Sequence, residues 1–566
     1  MKGSDASAQV RSHWPLAIIA VIGAAFIFTN LGAGYLWADE GDTAVLASNI
    51  LKFGVPKAWD GVTFIDSDFG ARENDQLVMV SSPWVQYYVT AASFFVFGQN
   101  TFAARFPFAL AGWMSILLAY FIVWKVTANR RAAFSAAVLL VFSVQFLLYS
   151  RQSRYYALSM FFTCLLLWIF FQMKSLRECG LFALLAILLF HIHPIGIVPV
   201  GVLAVFTLLL RRFQPQRRWV WLALPAIIAF TIPWFFLART GYTENAALVP
   251  SIRDFFARLV QYLIECASVA PLVGLMALLV ALLIQCRRKI RFLSSREQDF
   301  LIVIFAVILC YAFTMAVTQR TAALWVTGIR YTSAIVPLVA MATGILIAKI
   351  AHEKASVWMS ILLVLVFTNL GQITPWILWA DKNPNPENKT VAVHVPQRIV
   401  DGLFATGALL FVRDLFQSNP GTVTAACEFL RKNAAPGEVV VTNYESEPLY
   451  FHTRLPQGMK IMKQDSIYEI AKRRQLPDYV FGVEHARWIV WRFNWDDYLG
   501  IRWADVEHHL LAESAKITDV AQLEETAWEN RENIHFHRFA GHRYLFPQDK
   551  DLAAAHVFRV DWPAGQ

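Results

Sequence analysis

WPLAIIAVIGAAFIFTNLGAGYLWADEGD, residues 14–42, decides the fold. Trp14 to Leu36 holds no charged residue, and the run then meets two adjacent carboxylates, Asp39 and Glu40. A helix that crosses a bilayer needs about 20 mostly apolar residues. The apolar core of a secretory signal has only about 7–15. The stretch therefore reads as an uncleaved first transmembrane helix with an acidic pair at its mouth.

The rest of the chain repeats the theme. Apolar runs near 14–36, 101–124, 132–150, 156–173, 180–191, 194–210, 219–238, 258–286, 299–318, 332–350 and 355–378 give eleven candidate spans. A further apolar stretch, 83–97, is too short to cross and reads as interfacial or re-entrant. Hydrophobic residues make up 57% of the 566 and charged residues 16%, which excludes a soluble enzyme and a disordered chain. The net charge of +9 does not signal nucleic acid, because the cations sit in short clusters between apolar runs. Sixteen of them fall in one alternate set of short loops and six in the other. By the positive-inside tendency the first set is cytoplasmic, which puts 37–100 and everything after about 379 outside. The six cysteines form no C-x-x-C and read as small buried hydrophobes.

Residues 380–566 change character after the linker Asp381-Lys-Asn-Pro-Asn-Pro-Glu-Asn388. A helical stretch at 422–433, Pro436-Gly437, and apolar runs at 438–443 and 486–492 predict a small α/β domain. The expected organisation is a membrane unit, 1–379, with a first outer loop at 37–100, and a soluble unit, 380–566. Trp488, Trp491, Trp495 and Trp503 read as core or strand-face residues of that unit more readily than as sugar platforms.

Four groups could carry chemistry. Asp39 and Glu40 are costly at a membrane edge unless used or solvated, and a carboxylate there could serve as a general base toward a hydroxyl. Arg151 and Arg154 stand three apart on the outer side, where cations are disfavoured; they are either snorkelling anchors or a phosphate clamp. His191 and His193 flank a helix break at Pro194 and read as hydrogen-bonded histidines, or as phosphate or acceptor contacts, before metal ligands. Arg330, followed by Tyr331, again offers an anchor or a phosphate ligand.

In order, these pieces resemble a family. The Asp-Glu pair precedes Ser82-Pro83-Trp84 and Tyr87-Tyr88, then Phe97-Gly-Gln-Asn-Thr-Phe-Ala-Ala-Arg105-Phe-Pro107. Arg151-x-x-Arg154-Tyr-Tyr-Ala-Leu158, the histidine break and Arg330-Tyr331 follow. The set resembles the polytopic GT-C glycosyltransferases, in particular bacterial relatives of protein O-mannosyltransferases and of lipid A aminoarabinose transferases. Ser81-Ser82-Pro83 stands where many relatives carry Lys-Pro-Pro.

The resemblance implies a polytopic α-helical membrane protein of GT-C type, with about eleven transmembrane helices and a small extracytoplasmic α/β domain. It implies an inner-membrane enzyme that moves a sugar from a polyprenyl-phosphate carrier to a glycan, lipid or protein acceptor on the periplasmic side. Asp39 is then the base, with Glu40 its neighbour or an acceptor contact. Arg151, Arg154 and Arg330 hold the donor phosphate. Tyr87, Tyr88, Tyr155, His191, His193 and Tyr331 contact substrate. Some relatives use a divalent ion, and no other cofactor is implied. Membrane lipids are partners, and nucleic acid is not. The rival readings are a lipid-linked saccharide transporter, disfavoured by the lack of inverted repeats, and a non-catalytic assembly protein.

Overall fold

The computed structural model describes residues 14–65, 73–237, 293–318, 329–368, 407–416 and most of 422–523 and 555–563, with a few positions between 252 and 262. The chain begins with α1 (Trp14–Phe28) and α2 (Ala38–Phe53). Asp39 and Glu40 thus open a helix rather than sit in a loop. Acidic residues are favoured in a first turn, where unpaired N–H groups concentrate positive potential. Next come α3 (Val85–Phe97) and α4 (Thr101–Thr127). The Asn100 side chain caps α4 by accepting from Ala103 N–H at 2.9 Å.

The bundle continues with α5 (Arg130–Val141), α6 (Val144–Ser150), α7 (Tyr156–Gln172), α8 (Leu176–Ile192), α9 (Val198–Leu209) and α10 (Gln214–Leu237). It is completed by α11 (Ser295–Thr318), α12 (Ile335–Ile350) and α13 (Ala355–Phe367). Every residue of α12 from Ile335 to Ala348 is buried, which explains why its sequence is apolar all round. A Cβ on Gly344 would come within 2.7 Å of the Ala132 carbonyl and the Ala136 nitrogen of α5. Glycine and alanine let the two backbones meet closely, as small residues do between membrane helices.

The expected span count is met only in part. Among the described residues, α4 and α11 are long and apolar enough to cross a bilayer. Two bent pairs raise this to four: α5 with α6, bent by 66°, and Pro194–Leu209 with Arg211–Trp234, bent by 108°. The helices α1, α3, α7, α12 and α13 are apolar but shorter. The run at 258–286 lies almost wholly outside the described residues, as do positions 369–378 of the last run, while the other expected runs fall on described helices.

The tail supplies α14 (Gly407–Leu415), α15 (Thr422–Asn433), β1 (Val440–Thr442), α16 (Ser446–Thr453), β2 (Gln457–Gly458) and α17 (Tyr468–Lys472). Then follow β3 (Trp488–Arg492), α18 (Trp503–Ala512), β4 (Lys516–Leu523) and β5 (Ala555–Asp561). The five strands form one mixed sheet, ordered β2-β1-β3-β5-β4. β1 runs parallel to β2 and β3, and β5 antiparallel to β3 and β4. Trp488, Trp491 and Trp503 are core residues, as expected; Trp495 lies outside the described residues. Cys164, Cys179 and Cys427 are buried as expected, but Cys310 is exposed on α11; Cys266 and Cys286 lie outside the described residues.

The first loop and the tail share their cores. Ala58 and Phe64 pack into the sheet's core with Val441 and Ile489. Tyr450 and Phe451 of α16 pack with Val45, Leu46 and Tyr87. This interlock, which composition does not reveal, holds α2 against both the bundle and the tail.

Candidate active site

Two guanidiniums converge on one oxygen of Asp39. Arg330 Nη1 lies 3.0 Å from Asp39 Oδ2, and Arg154 Nη2 lies 3.3 Å from the same atom. Arg154 Nη1 also donates to the Asp39 carbonyl at 3.2 Å and to Thr43 Oγ1 at 3.3 Å. The three side chains come from α2, from the turn between α6 and α7, and from the short 3-10 turn Ile329–Thr332. All are mostly buried yet not sealed, with side-chain exposures of 22% for Asp39, 14% for Arg154 and 18% for Arg330.

An aromatic group stands beside them. Arg154 lies over Tyr155 and Arg330 over Tyr331, at 5.7 and 5.1 Å from the ring centres. His193 stacks on Tyr155 at 4.5 Å and leans on Tyr331 at 5.1 Å. His193 sits in the break between α8 and the next helix. Burial first, then the charges of Arg154 and Arg330, push it down to about 3, so it adds no positive charge. Tyr155 Oη, Arg154 Nε and Arg330 Nε are buried with no hydrogen-bond partner among the described residues. Buried donors left unpaired are costly.

Glu40 has a different environment. It is fully buried and held by a guanidinium fork: Arg105 Nε to Oε1 at 2.9 Å and Nη2 to Oε2 at 2.6 Å. Ser153 N–H donates to Oε1 at 2.7 Å. Arg105 also reaches the carbonyls of Leu31, Ala33 and Tyr35, at 3.3, 3.2 and 3.1 Å. Consecutive residues of α2 thus pair with consecutive residues of the following turn, Glu40 with Ser153 and Asp39 with Arg154. Both Glu40 oxygens are occupied, so its geometry suits holding the site together rather than meeting an acceptor.

The remaining expected residues divide. Arg151 does not face Asp39. Its Nη1 donates to the carbonyls of Phe26, Ile27 and Thr29 at 3.1, 2.7 and 2.9 Å, and its Nη2 to that of Asn30 at 3.3 Å. It satisfies the carbonyls that the end of α1 leaves open, which does not fit the expected role on a phosphate. Arg151→Ala should therefore lower the thermal midpoint, by about 1–3 kcal/mol of stability. An unchanged midpoint would mean that these carbonyls do not need the guanidinium.

Tyr87 is fully buried in the α2–α3 core and within electrostatic reach of Arg154. Tyr88 is half exposed and donates to the Gly54 carbonyl at 2.7 Å. His191 bonds the Phe230 carbonyl at 2.9 Å and meets Trp234 edge-on, away from its neighbour His193. Sequence reasoning missed Arg105, Thr43, Gln86 and the Ser153 N–H. Gln86 accepts from Tyr155 N–H at 3.2 Å and so orients the turn. Arg105 had a signal, since it lies in the Phe97–Pro107 motif, but nothing in one dimension links it to Glu40.

Among the described residues no group of three His, Cys, Asp or Glu side chains is placed to hold a metal. A divalent cation at Asp39 would meet two guanidiniums that repel it, so this donor set does not fit a metal.

Comparisons with known proteins bear on the fold that carries this geometry. Residues 81–236 match the model of the dolichyl-phosphate-mannose-protein mannosyltransferase family. No curated protein matches the chain. Among solved structures, ArnT from Cupriavidus metallidurans bound to undecaprenyl phosphate is similar, with 15% identity and a TM-score of 0.56 over 96% of this chain and 98% of that one. The same protein without ligand matches with 15% identity and a TM-score of 0.57, covering 91% of this chain and 96% of that one. At that identity the likeness speaks for the fold alone: the chain shares the fold of these structures.

Proposed function

We propose that the chain transfers a sugar from a polyprenyl-phosphate carrier to a hydroxyl acceptor on the extracytoplasmic face of the inner membrane, with inversion at the anomeric carbon. The observation that carries this reading is the convergence of Arg154 and Arg330 on Asp39, each guanidinium keeping a buried Nε without a partner. Guanidinium forks suit phosphate oxygens, and a carboxylate suits the proton of an attacking hydroxyl. The undecaprenyl phosphate bound by the similar ArnT structure fits the same chemistry. The full set of about eleven spans, the outward placement of α2 and the division of the chain near residue 379 belong to this proposal.

The donor phosphate takes up N–H groups of Arg154 and Arg330, with Tyr155 Oη beside them. Asp39 then faces the acceptor with less of its charge spent on the arginines. The acceptor oxygen attacks C1 while the bond from C1 to the phosphate oxygen breaks, and Asp39 receives the hydroxyl proton. The leaving phosphate gains a negative charge as it departs. The two guanidiniums therefore bind the transition state more tightly than the ground state. An inverting displacement needs base and phosphate clamp on opposite faces of the sugar, so donor binding must part Asp39 from the two guanidiniums that hold it here.

The test is transfer by purified protein from a polyprenyl-phosphate sugar to an envelope extract, with Arg154→Ala alongside. Wild type should label one glycan, lipid or protein class. Arg154→Ala should weaken undecaprenyl phosphate binding about tenfold or more, the scale of a hydrogen bond to a charged group. Unchanged affinity would make Arg154 a membrane anchor.

A further inference from the structure

Helix α16 comes from the far end of the chain, yet it lies on the first turn of α2. An added Cβ at Gly41 would stand 2.5 Å from both Cδ and N of Pro448, so the two helices meet at a distance only glycine allows. The N–H of Leu36, just before the residue that opens α2, is accepted by His452 Nε2 at 3.0 Å. The His452 ring stacks on Tyr35 at 4.1 Å and 19°. Arg431 of α15 secures both partners. It donates to Tyr35 Oη at 2.6 Å and to the His452 carbonyl at 2.6 and 3.0 Å. Phe451 stacks on Phe94 of α3 at 5.8 Å, and the Tyr450 hydroxyl donates to Asp60.

Burial first, and then Arg431, Arg105 and Arg454, push His452 down to about 3. Its ring is therefore neutral at working pH, and its Nε2 lone pair is available to Leu36. The segment Tyr35–Trp37 leads directly into Asp39. Arg105 grips it through the Tyr35 carbonyl, and the tail grips it through His452 and Arg431. A link between helices at the membrane surface would otherwise be mobile. A base displaced by about 1 Å can lose about a hundredfold in rate.

We propose that His452, supported by Pro448, is a positioning residue for the transfer reaction: α16 fixes the link between α1 and α2 and thereby the place of Asp39 between Arg154 and Arg330. The inference rests on reading Asp39 as the base. It gives the tail a part in turnover, distinct from the donor clamp, whose guanidiniums are carried by other elements.

The experiment compares His452→Ala, His452→Gln and Asp39→Asn in the full-length protein. Turnover, donor KM, undecaprenyl phosphate affinity and thermal midpoint are measured for each. The His452→Ala change should lower kcat about tenfold or more and leave undecaprenyl phosphate affinity within about twofold, since Arg154 and Arg330 are untouched. Glutamine can present an oxygen to the Leu36 N–H, so His452→Gln should recover most of kcat. If His452→Ala does not accumulate, Gly41→Ala, which presses α16 away, should give the same split between kcat and affinity. An unchanged kcat in His452→Ala, while Asp39→Asn is inactive, overturns the proposal and leaves the base assignment standing. So does a kcat loss that follows the thermal midpoint and is not rescued by glutamine. Near-normal turnover in Asp39→Asn removes the base itself, and this proposal with it.

Discussion

Asp39→Asn should cut turnover by about 10³-fold, within the range that a positioned general base contributes, without weakening the donor. Asparagine keeps the shape of the side chain and one acceptor oxygen for the guanidiniums that now converge on Oδ2. It loses the charge and the ability to hold the acceptor's proton. Because the carboxylate competes with a phosphate for Arg154 and Arg330, undecaprenyl phosphate should bind Asp39→Asn as tightly as wild type or more tightly. Arg154→Ala should behave in the opposite sense, losing donor affinity first. The pair of variants therefore separates base from clamp in one titration and one initial-rate measurement. Asp39→Glu keeps the charge but moves it by one methylene, and should retain a small part of the rate. Wild-type turnover in Asp39→Asn would leave the site without a base.

The positions of the apolar bundle helices were legible because the hydrocarbon core imposes a length and a composition on each run; α2, which is less apolar, was read as loop. One tail helix and two of its strands were legible too, the strands as the short apolar runs at 438–443 and 486–492. The site was legible only where its residues stand out by type and place. Asp39 and Arg330 are charges at the ends of apolar runs, and the structure brings them together across 291 residues. The treatment of Arg151 and Arg154 as one clamp rested on helical spacing. Residues 151–155 form a turn, with Arg151 closing α6 and Tyr155 preceding α7. The two guanidiniums therefore diverge, one to the end of α1 and the other to Asp39. Glu40 read as a reactive neighbour because its partner, Arg105, is 65 residues away. Helix α16 gave no signal, since Ser446-Glu-Pro-Leu-Tyr-Phe-His-Thr453 is ordinary until Pro448 is seen against Gly41.

Arg105→Ala should produce the largest loss of stability of any change at the site. Glu40 has no solvent exposure and Arg105 only 12%. Removing one partner of a buried ion pair leaves the other charge uncompensated, at a cost of about 3–5 kcal/mol. The same change strips the donors from the carbonyls of Leu31, Ala33 and Tyr35, so the link between α1 and α2 loosens along its length. Activity should fall with stability, because Glu40 also anchors the Ser153 N–H next to Arg154. Arg105→Lys should rescue little: one ammonium cannot reproduce a fork on two carboxylate oxygens and reach three carbonyls as well. Adding Glu40→Gln to Arg105→Ala removes the stranded charge, so the double variant should be more stable than Arg105→Ala alone, by more than additivity predicts. Thermal midpoints of wild type, Arg105→Ala, Arg105→Lys, Glu40→Gln and the double variant in one detergent decide the matter. Equal midpoints for wild type and Arg105→Ala would mean that the pair contributes nothing to holding α2 in place.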